Sequence, residues 1–289
     1  GSYWDYNREF IFSPRASVGF VPSKHQNITL RFATGLYYQP PFYKEFRVVT
    51  VDENNNSVIA LNKDIRSQRS IHFVLGGDYG FTKNRLPYKF TTEIYYKKLD
   101  DLVPYTVDNV KVWYAGSNLS NGYATGIDTK LFGQFVQGSD SWICFSLMQA
   151  KQYIDGVKVP MPTDQLYNIS GYFTEIWKKV QVNVRGIWAA GLPFSVPGYE
   201  YKSGLRASPY RRIDIGMSYQ LLGEDDIGYR DNSIWRNLRN VWVGIDAFNL
   251  FDIKNVSSYS WFADINGYKN AVPDRLTGRQ FNIKLIVEF

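Results

Sequence analysis

Side chains that commonly perform catalysis are few and scattered in this sequence. It has two histidines, His25 and His72, and one cysteine, Cys144. Two adjacent acid pairs, Asp100–Asp101 and Asp225–Asp226, have the residue type of a general acid and base, but both lie in or beside predicted connections, where solvated carboxylates are usual. No nucleophile, histidine and acid can be grouped, and no glycine-rich phosphate loop leads from a strand into a helix. We therefore expect no enzymatic activity, no metal site and no cofactor.

Aromatic residues are frequent for a chain of ordinary hydrophobicity. The 22 tyrosines, 19 phenylalanines and 8 tryptophans make up 17% of the sequence, while hydrophobic residues total 44%. Tyrosine and tryptophan are enriched where a protein meets two water–lipid interfaces. No run of about 18 apolar residues occurs, so the sequence predicts no transmembrane helix. The net charge is +6, but lysine and arginine are not clustered, and we expect no nucleic-acid partner.

The last stretch of the sequence, Gly278–Phe289, shows the clearest periodicity. Its apolar residues fall on alternate positions, which puts them on one face of a β-strand. Such a face suits lipid, and in a membrane β-barrel this strand closes the sheet. The apolar row consists of Phe281, Ile283, Leu285, Val287 and Phe289.

The same alternation recurs along the chain and predicts eleven strands, the first over Phe10–Phe20. Each has about 10–13 residues, close to the length that crosses a bilayer at a tilt. Four of the five connections after odd strands are short, and the set is Val21–Gln26, Lys83–Pro87, Gln137–Ser141, Lys178–Lys179 and the longer Leu222–Asn240. The connections after even strands are longer, and they are Gln39–Gln68, Asp100–Asn121, Ile154–Asp164, Gly191–Pro209 and Ile253–Thr277. This parity predicts an all-β, antiparallel, up-and-down transmembrane β-barrel with periplasmic turns and extracellular loops.

An odd number of antiparallel strands cannot close into a barrel, because the first and last strands would run parallel. An open edge in lipid leaves backbone N–H and C=O groups without partners, and bacterial barrels have even strand numbers. We therefore expect residues 1–289 to form the C-terminal part of a larger barrel whose other strands precede Gly1. The C-terminus is then periplasmic.

Ligand recognition is expected on the long loops and the adjoining inner wall. Aromatic and polar residues cluster at Tyr37–Tyr43, Val103–Tyr114 and Tyr259–Asp264. The alternative for these aromatics is an outer girdle or packing of one loop on another. The candidate ligand-binding residues, with two arginines as anion partners, are Tyr38, Gln39, Tyr43, Arg47, Tyr105, Trp113, Trp261 and Arg275.

Five segments carry a resemblance to a known family, and they are Ser13–Pro22, Ile28–Phe46, Pro209–Leu221, Phe248–Asn255 and Leu276–Phe289. In this order they resemble the C-terminal half of a TonB-dependent outer-membrane receptor. The sequences YYQPPFYKE, PTDQ and SYSW are most similar to receptors from Bacteroidota.

The resemblance implies a 22-stranded barrel with an N-terminal plug, of which these residues would be the second half. The plug and the TonB box of the family pattern are not among residues 1–289, so contact with TonB would lie in a preceding region. The apolar row ending at Phe289 resembles the signal read by the barrel-assembly machinery. The lipid bilayer and a surface lipoprotein are further partners that the resemblance suggests.

The function expected from this resemblance is active import across the outer membrane. A ligand would bind the extracellular loops, and TonB would supply the energy to rearrange the plug. A passive porin or a structural barrel without energy coupling is the main alternative. A barrel-embedded hydrolase and a soluble β-rich binding protein are further alternatives, the former disfavoured by the missing catalytic group.

Overall fold

The structure is a computed structural model that describes residues 1–51, 57–108, 111–136, 138–196, 201–223 and 238–288. Phe289, the pair Asp225–Asp226 and most of Leu222–Asn240 lie outside these residues. The described residues contain no helix long and apolar enough to cross a membrane.

The described part of the chain is built from strands. In chain order they are β1 (Ser2–Trp4), β2 (Glu9–Ile11), β3 (Arg15–Phe20), β4 (Ile28–Gln39), β5 (Arg47–Val51), β6 (Ser57–Leu61), β7 (Gln68–Lys83), β8 (Leu86–Leu102), β9 (Tyr105–Asp108), β10 (Lys111–Tyr114), β11 (Ser120–Val136), β12 (Ser139–Ile154), β13 (Val157–Pro160), β14 (Tyr167–Trp177), β15 (Val180–Ala189), β16 (Pro193–Phe194), β17 (Leu205–Arg206), β18 (Tyr210–Leu222), β19 (Asn240–Phe248), β20 (Val256–Ala263), β21 (Lys269–Arg275) and β22 (Gln280–Glu288).

Eleven of these strands form one antiparallel sheet in the order β22-β19-β18-β15-β14-β12-β11-β8-β7-β4-β3, with β13 added beside β12. Each strand of the path pairs with its neighbour along the chain, as in an up-and-down barrel. The predicted fold class and the eleven strands are therefore confirmed. The barrel is not closed, because β3 and β22 are the two ends of the sheet.

The two faces of the sheet differ as the alternation predicts. On β22 the predicted row is open to the surroundings, with Phe281 67%, Ile283 78% and Leu285 66% exposed. Lys284 lies on the other face, where its ammonium group donates to Asp246 Oδ1 at 2.9 Å. An apolar outer face and a polar inner face are the arrangement of a barrel in lipid.

Ion pairs concentrate on the inner face. Arg31 on β4 pairs with Asp78 on β7 and with Glu93 on β8, the latter at 3.1 Å. Arg212 and Asp214 on β18 pair at 2.7 Å. These polar groups therefore satisfy one another, across neighbouring strands for Arg31 and along a single strand for Arg212.

Aromatic rings form rows on the outer face near both rims. Near the short turns, ring centroids lie 5.3–5.5 Å apart along Tyr79, Phe81, Tyr88, Phe135 and Phe173. Near the opposite rim, Tyr96 contacts Tyr123 at 6.2 Å and Tyr167 contacts Trp188 at 5.9 Å. Two such rows match the two interfaces of a bilayer.

Short connections form one rim, except between β18 and β19, where most of the connection lies outside the described residues. Between β7 and β8, Asn84 and Arg85 have φ of 54° and 65°. Two successive left-handed residues make the type I′ turn that matches the twist of paired strands. The turn between β14 and β15 is also two residues long, and Lys178 there has a φ of 52°.

Long connections form the opposite rim, and four carry hairpins of their own: β5–β6, β9–β10, β16–β17 and β20–β21. The buried core sits among them rather than between two sheets. Ile65, Gln152, Asp164 and Asn249 are all less than 2% exposed. Some buried residues, such as Ser141 at 1% exposed, lie at the opposite end of the sheet.

Several predicted boundaries are wrong. The turn predicted over Lys83–Pro87 contains only two residues, because Lys83 pairs with Leu86. The first predicted strand, Phe10–Phe20, is interrupted: Glu9–Ile11 pairs with β1, and only Arg15–Phe20 joins the sheet. Pro14 has no N–H for a ladder, and its carbonyl accepts a bond from the Leu36 N–H. The predicted turn Gln137–Ser141 is shorter, because Ser139 already pairs with Val136 and begins β12.

Candidate functional site

A cavity of about 770 Å³ lies on the rim of long connections. This is the size range of small-molecule sites. All five long connections contribute to its wall, represented in chain order by Arg47, Trp113, Pro162, Phe194 and Trp261.

Three of the eight predicted ligand-binding residues line this cavity: Arg47, Trp113 and Trp261. Tyr105 is not part of the lining but packs against it, with its ring centroid 5.7 Å from that of the lining residue Tyr114. The sequence placed these residues on separate loops, and the fold brings them to one cavity.

The other four predicted residues lie outside the lining. Tyr38 is on β4 opposite Arg69, and its hydroxyl bonds to the Arg69 guanidinium. Gln39 is the last residue of β4, Tyr43 packs against Phe46 at 5.7 Å, and Arg275 ends β21. Their roles in ligand binding stay predictions.

An aromatic group of three rings forms one side of the cavity. Phe194 of the fourth connection stacks on Tyr259 of the fifth at 4.7 Å, with an angle of 27° between the rings. The ring of Trp261 is 6.4 Å from that of Phe194. Sequence reasoning missed Phe194 because it is an isolated aromatic residue in a proline-containing loop. Its only signal in the sequence is an apolar ring outside any alternating strand pattern.

The charged residues of the lining, among those the structure describes, are Lys44 and Arg47 on the first connection. Neither forms an ion pair with a described residue. The fifth connection contains a carboxylate, Asp274, but it accepts bonds from the hydroxyls of Ser258 and Ser260 at 3.0 and 2.7 Å and does not line the cavity. The described wall is therefore positively charged.

A buried ion-pair group ties the third connection to the fourth. Asp164 is 0% exposed, and its carboxylate accepts bonds from the Ala150 N–H at 2.6 Å and the Lys151 ammonium at 3.1 Å. Arg206 pairs with the same carboxylate and also donates to the Asp164 carbonyl at 2.6 Å. Arg206 lies on β17, which pairs with the strand that carries Phe194. The group thus holds one wall of the cavity to the sheet.

Side-chain hydrogen bonds set the path of the fifth connection where β19 ends. Asn249 is 1% exposed with a φ of 51°, and its amide both donates to the Ile253 carbonyl at 3.0 Å and accepts from the Ile253 N–H at 3.1 Å. Its own N–H donates to Asp214 at 2.8 Å. Just before β22, a Cβ added at Gly278 would lie 2.6 Å from Asp252 Oδ1, so the close approach of these two segments requires glycine. These contacts fix β20, which carries Tyr259 and Trp261.

A buried carboxylate supports the first connection next to the cavity. Glu45 is 6% exposed and accepts bonds from the Phe42 N–H at 2.9 Å and the Gln68 amide at 3.0 Å. Burial raises the pKa of Glu45, and the two hydrogen bonds oppose that rise only partly. The same carboxylate, with burial as the larger cause, contributes to a raised pKa of Tyr114 in the cavity wall.

Among the described residues, no group of three or more His, Cys, Asp or Glu side chains is placed to hold a metal ion. Cys144 is half-buried on β12.

The sheet, its two aromatic rows and the rim of long loops have the architecture of part of an outer-membrane β-barrel. The sequence matches no protein-family model and no curated protein, but solved structures match by fold. The ferric-catecholate import receptor Fiu from E. coli K12 is similar with a TM-score of 0.62 at 16% identity, over 93% of this chain and 34% of that chain. The ferric yersiniabactin uptake receptor FyuA from Yersinia pestis gives 0.61 at 14% identity, over 95% and 37%. The outer-membrane transporter YddB from Escherichia coli gives 0.58 at 11% identity, over 98% and 41%.

This chain thus spans between 34% and 41% of the length of these three structures. At such identities the likeness defines the fold. The predicted resemblance to a TonB-dependent receptor barrel is confirmed at that level, and the likeness supports an outer-membrane location.

Proposed function

We propose that this chain is the C-terminal barrel part of an outer-membrane importer that binds its ligand at the long loops. The observation that carries the proposal is the convergence of all five long connections on one cavity, while four of the five connections on the opposite rim are short. Loops held by buried groups such as Asp164 and Asn249 make a shaped site, which a passive channel does not need.

The orientation belongs to the same proposal. The long loops face the cell exterior, and the short turns and the end of β22 face the periplasm. Energy comes from TonB, through a plug and TonB box that a region outside residues 1–289 supplies. The neighbours described as import or uptake receptors support this direction of transport.

Two further partners are part of the proposal. The apolar row Phe281, Ile283, Leu285 and Val287 on β22, followed by Phe289, serves as the signal for the barrel-assembly machinery. A surface lipoprotein covers the loops, as the resemblance to receptors from Bacteroidota suggests.

The test compares accumulation of labelled solutes in three strains of the native host: wild type, a strain lacking this protein, and a strain lacking TonB. The panel contains a ferric chelate, cobalamin, an oligosaccharide and a peptide. Active import predicts that accumulation of one solute falls to background in both deletion strains. A passive porin predicts a loss only in the strain without this protein, and a structural barrel predicts no loss in either; both results contradict the proposal.

A further inference from the structure

The charge of the cavity wall restricts which ligands it can hold, and this inference rests on the proposed import function. Lys44 and Arg47 are the charged residues in the described lining, and neither has an acidic partner among the described residues. Two unpaired cations in a cleft with apolar walls attract anions and repel cations. Arg47 is half-buried, so part of its hydration is already lost before a ligand arrives.

The uncharged part of the lining favours a flat, apolar ligand surface. Phe194, Tyr259 and Trp261 form a stacked group, and Trp113 on the second connection is 46% exposed. Aromatic side chains bind flat unsaturated groups by offset stacking and by burial of apolar area.

The hydrogen-bonding groups of the lining argue against a neutral, hydroxyl-rich ligand. The described lining contains no Asp, Glu, Asn or Gln side chain. Lysine and arginine only donate hydrogen bonds, and the lining hydroxyls are partly engaged, since Ser195 and Ser203 bond to each other at 3.2 Å and Ser258 donates to Asp274. Side-chain carboxylates and amides that could accept bonds from several ligand hydroxyls are therefore lacking in the described wall.

We infer that the cavity selects an organic anion that carries a flat unsaturated ring. The anionic group pairs with Arg47 and Lys44, and the ring lies among Phe194, Tyr259 and Trp261. The volume of about 770 Å³ admits a small molecule and excludes a folded protein.

The test uses the complete protein, purified from the outer membrane in detergent, and three probes. Naphthalene-2-carboxylate has the ring and the charge, naphthalene-2-carboxamide has the ring alone, and cyclohexanecarboxylate has the charge alone. Saturable quenching of tryptophan fluorescence measures binding. The carboxylate with the naphthalene ring should bind about tenfold more tightly than either other probe, because a hydrogen bond to a charged group or a buried ring is worth roughly that factor.

Two arginine variants separate the site from general charge. Arg47→Gln should weaken binding of naphthalene-2-carboxylate about tenfold and leave the carboxamide within about threefold. Arg66→Gln is the matched control, because this substitution removes the same charge from an exposed residue of the same connection outside the lining. If Arg47→Gln prevents folding, as judged by heat-modifiable migration on gels, Lys44→Gln provides the same comparison.

Equal affinity for the carboxylate and the carboxamide overturns the inference, and so does an equal effect of the two arginine variants. An absence of saturable binding by naphthalene-2-carboxylate overturns it as well. These failures are distinguishable from failure of the import proposal. A neutral solute that accumulates in a TonB-dependent manner refutes the anion preference and leaves the import proposal standing. Selective binding of naphthalene-2-carboxylate without TonB-dependent accumulation supports the anion preference and refutes the import proposal.

Discussion

The buried carboxylate of Asp164 should control the local stability of two loops at the proposed ligand site. It is 0% exposed and pairs with Lys151 and Arg206, whose side chains are 18% and 29% exposed. Asp164→Asn keeps the shape of the side chain but removes its charge. Removing one partner of a fully buried ion pair costs about 3–5 kcal/mol. Because both cations here keep some contact with water, we expect about 2 kcal/mol, which is about a 30-fold change in an opening equilibrium.

Hydrogen exchange of the folded protein in detergent measures this change directly. The reporters are the Met161 N–H, which donates to the Ala150 carbonyl at 3.0 Å, and the Ala207 N–H, which donates to the Leu192 carbonyl at 2.9 Å. One lies on each of the two connections that Asp164 joins. Both amides should exchange about 30-fold faster in Asp164→Asn.

The chain offers a matched control in Asp155, which pairs with Lys202 at 3.2 Å and joins the same two connections. Asp155 is 79% exposed, and exposed ion pairs contribute little because water screens them. Asp155→Asn should change exchange of the same amides by less than about threefold. Equal effects of the two variants, or less than a threefold effect of Asp164→Asn, would refute the reasoning.

Three further outcomes follow from the faces and burial described above. Ile283→Lys puts a charge on the lipid face of β22, at a cost of about 2–4 kcal/mol near the bilayer centre, and should reduce the amount of folded, heat-modifiable protein in outer-membrane fractions. Asn282→Lys, on the inner face, should leave that amount unchanged. Burial raises the folded-state pKa of Glu45, so the stability that this residue contributes should fall as pH rises through that pKa. Glu45→Gln should remove this pH dependence, measured as the difference between the melting temperatures at pH 5 and pH 8. Deletion of Phe289 should lower barrel levels in the outer membrane, and unchanged levels would count against its role as an assembly signal.

Much of the sheet could be predicted because one face meets lipid and the other does not. That difference imposes strict alternation on strands such as β18 and β22, and the period of two is visible without a structure. The tight turns were visible for a related reason, since residues such as Asn84 tolerate a positive φ. Prediction failed where the chain departs from the pattern. Pro14 lacks the N–H that a ladder needs, and the turn before Ser139 is shorter than predicted.

The candidate site could be predicted only in part, because its residues come from five loops that have no periodicity. Arg47, Trp113 and Trp261 stood out as charged or aromatic residues in long connections, and they do line the cavity. Arg275 stood out for the same reason and does not, because residue type carries no information on how a hairpin is turned. Phe194 has only a weak sequence signal, an isolated apolar ring, and its place depends on the pairing of β16 with β17.

Labelling from outside the cell tests most directly whether the long loops form the exterior, ligand-binding rim. In a Cys144→Ser background, I265C marks the tip between β20 and β21, where Ile265 is 102% exposed. K24C marks the short turn between β3 and β4. With a membrane-impermeant maleimide on intact cells, I265C should label fully and K24C only after the outer membrane is permeabilised. Labelling of K24C but not I265C on intact cells would contradict the proposed orientation and, with it, ligand capture at the loops.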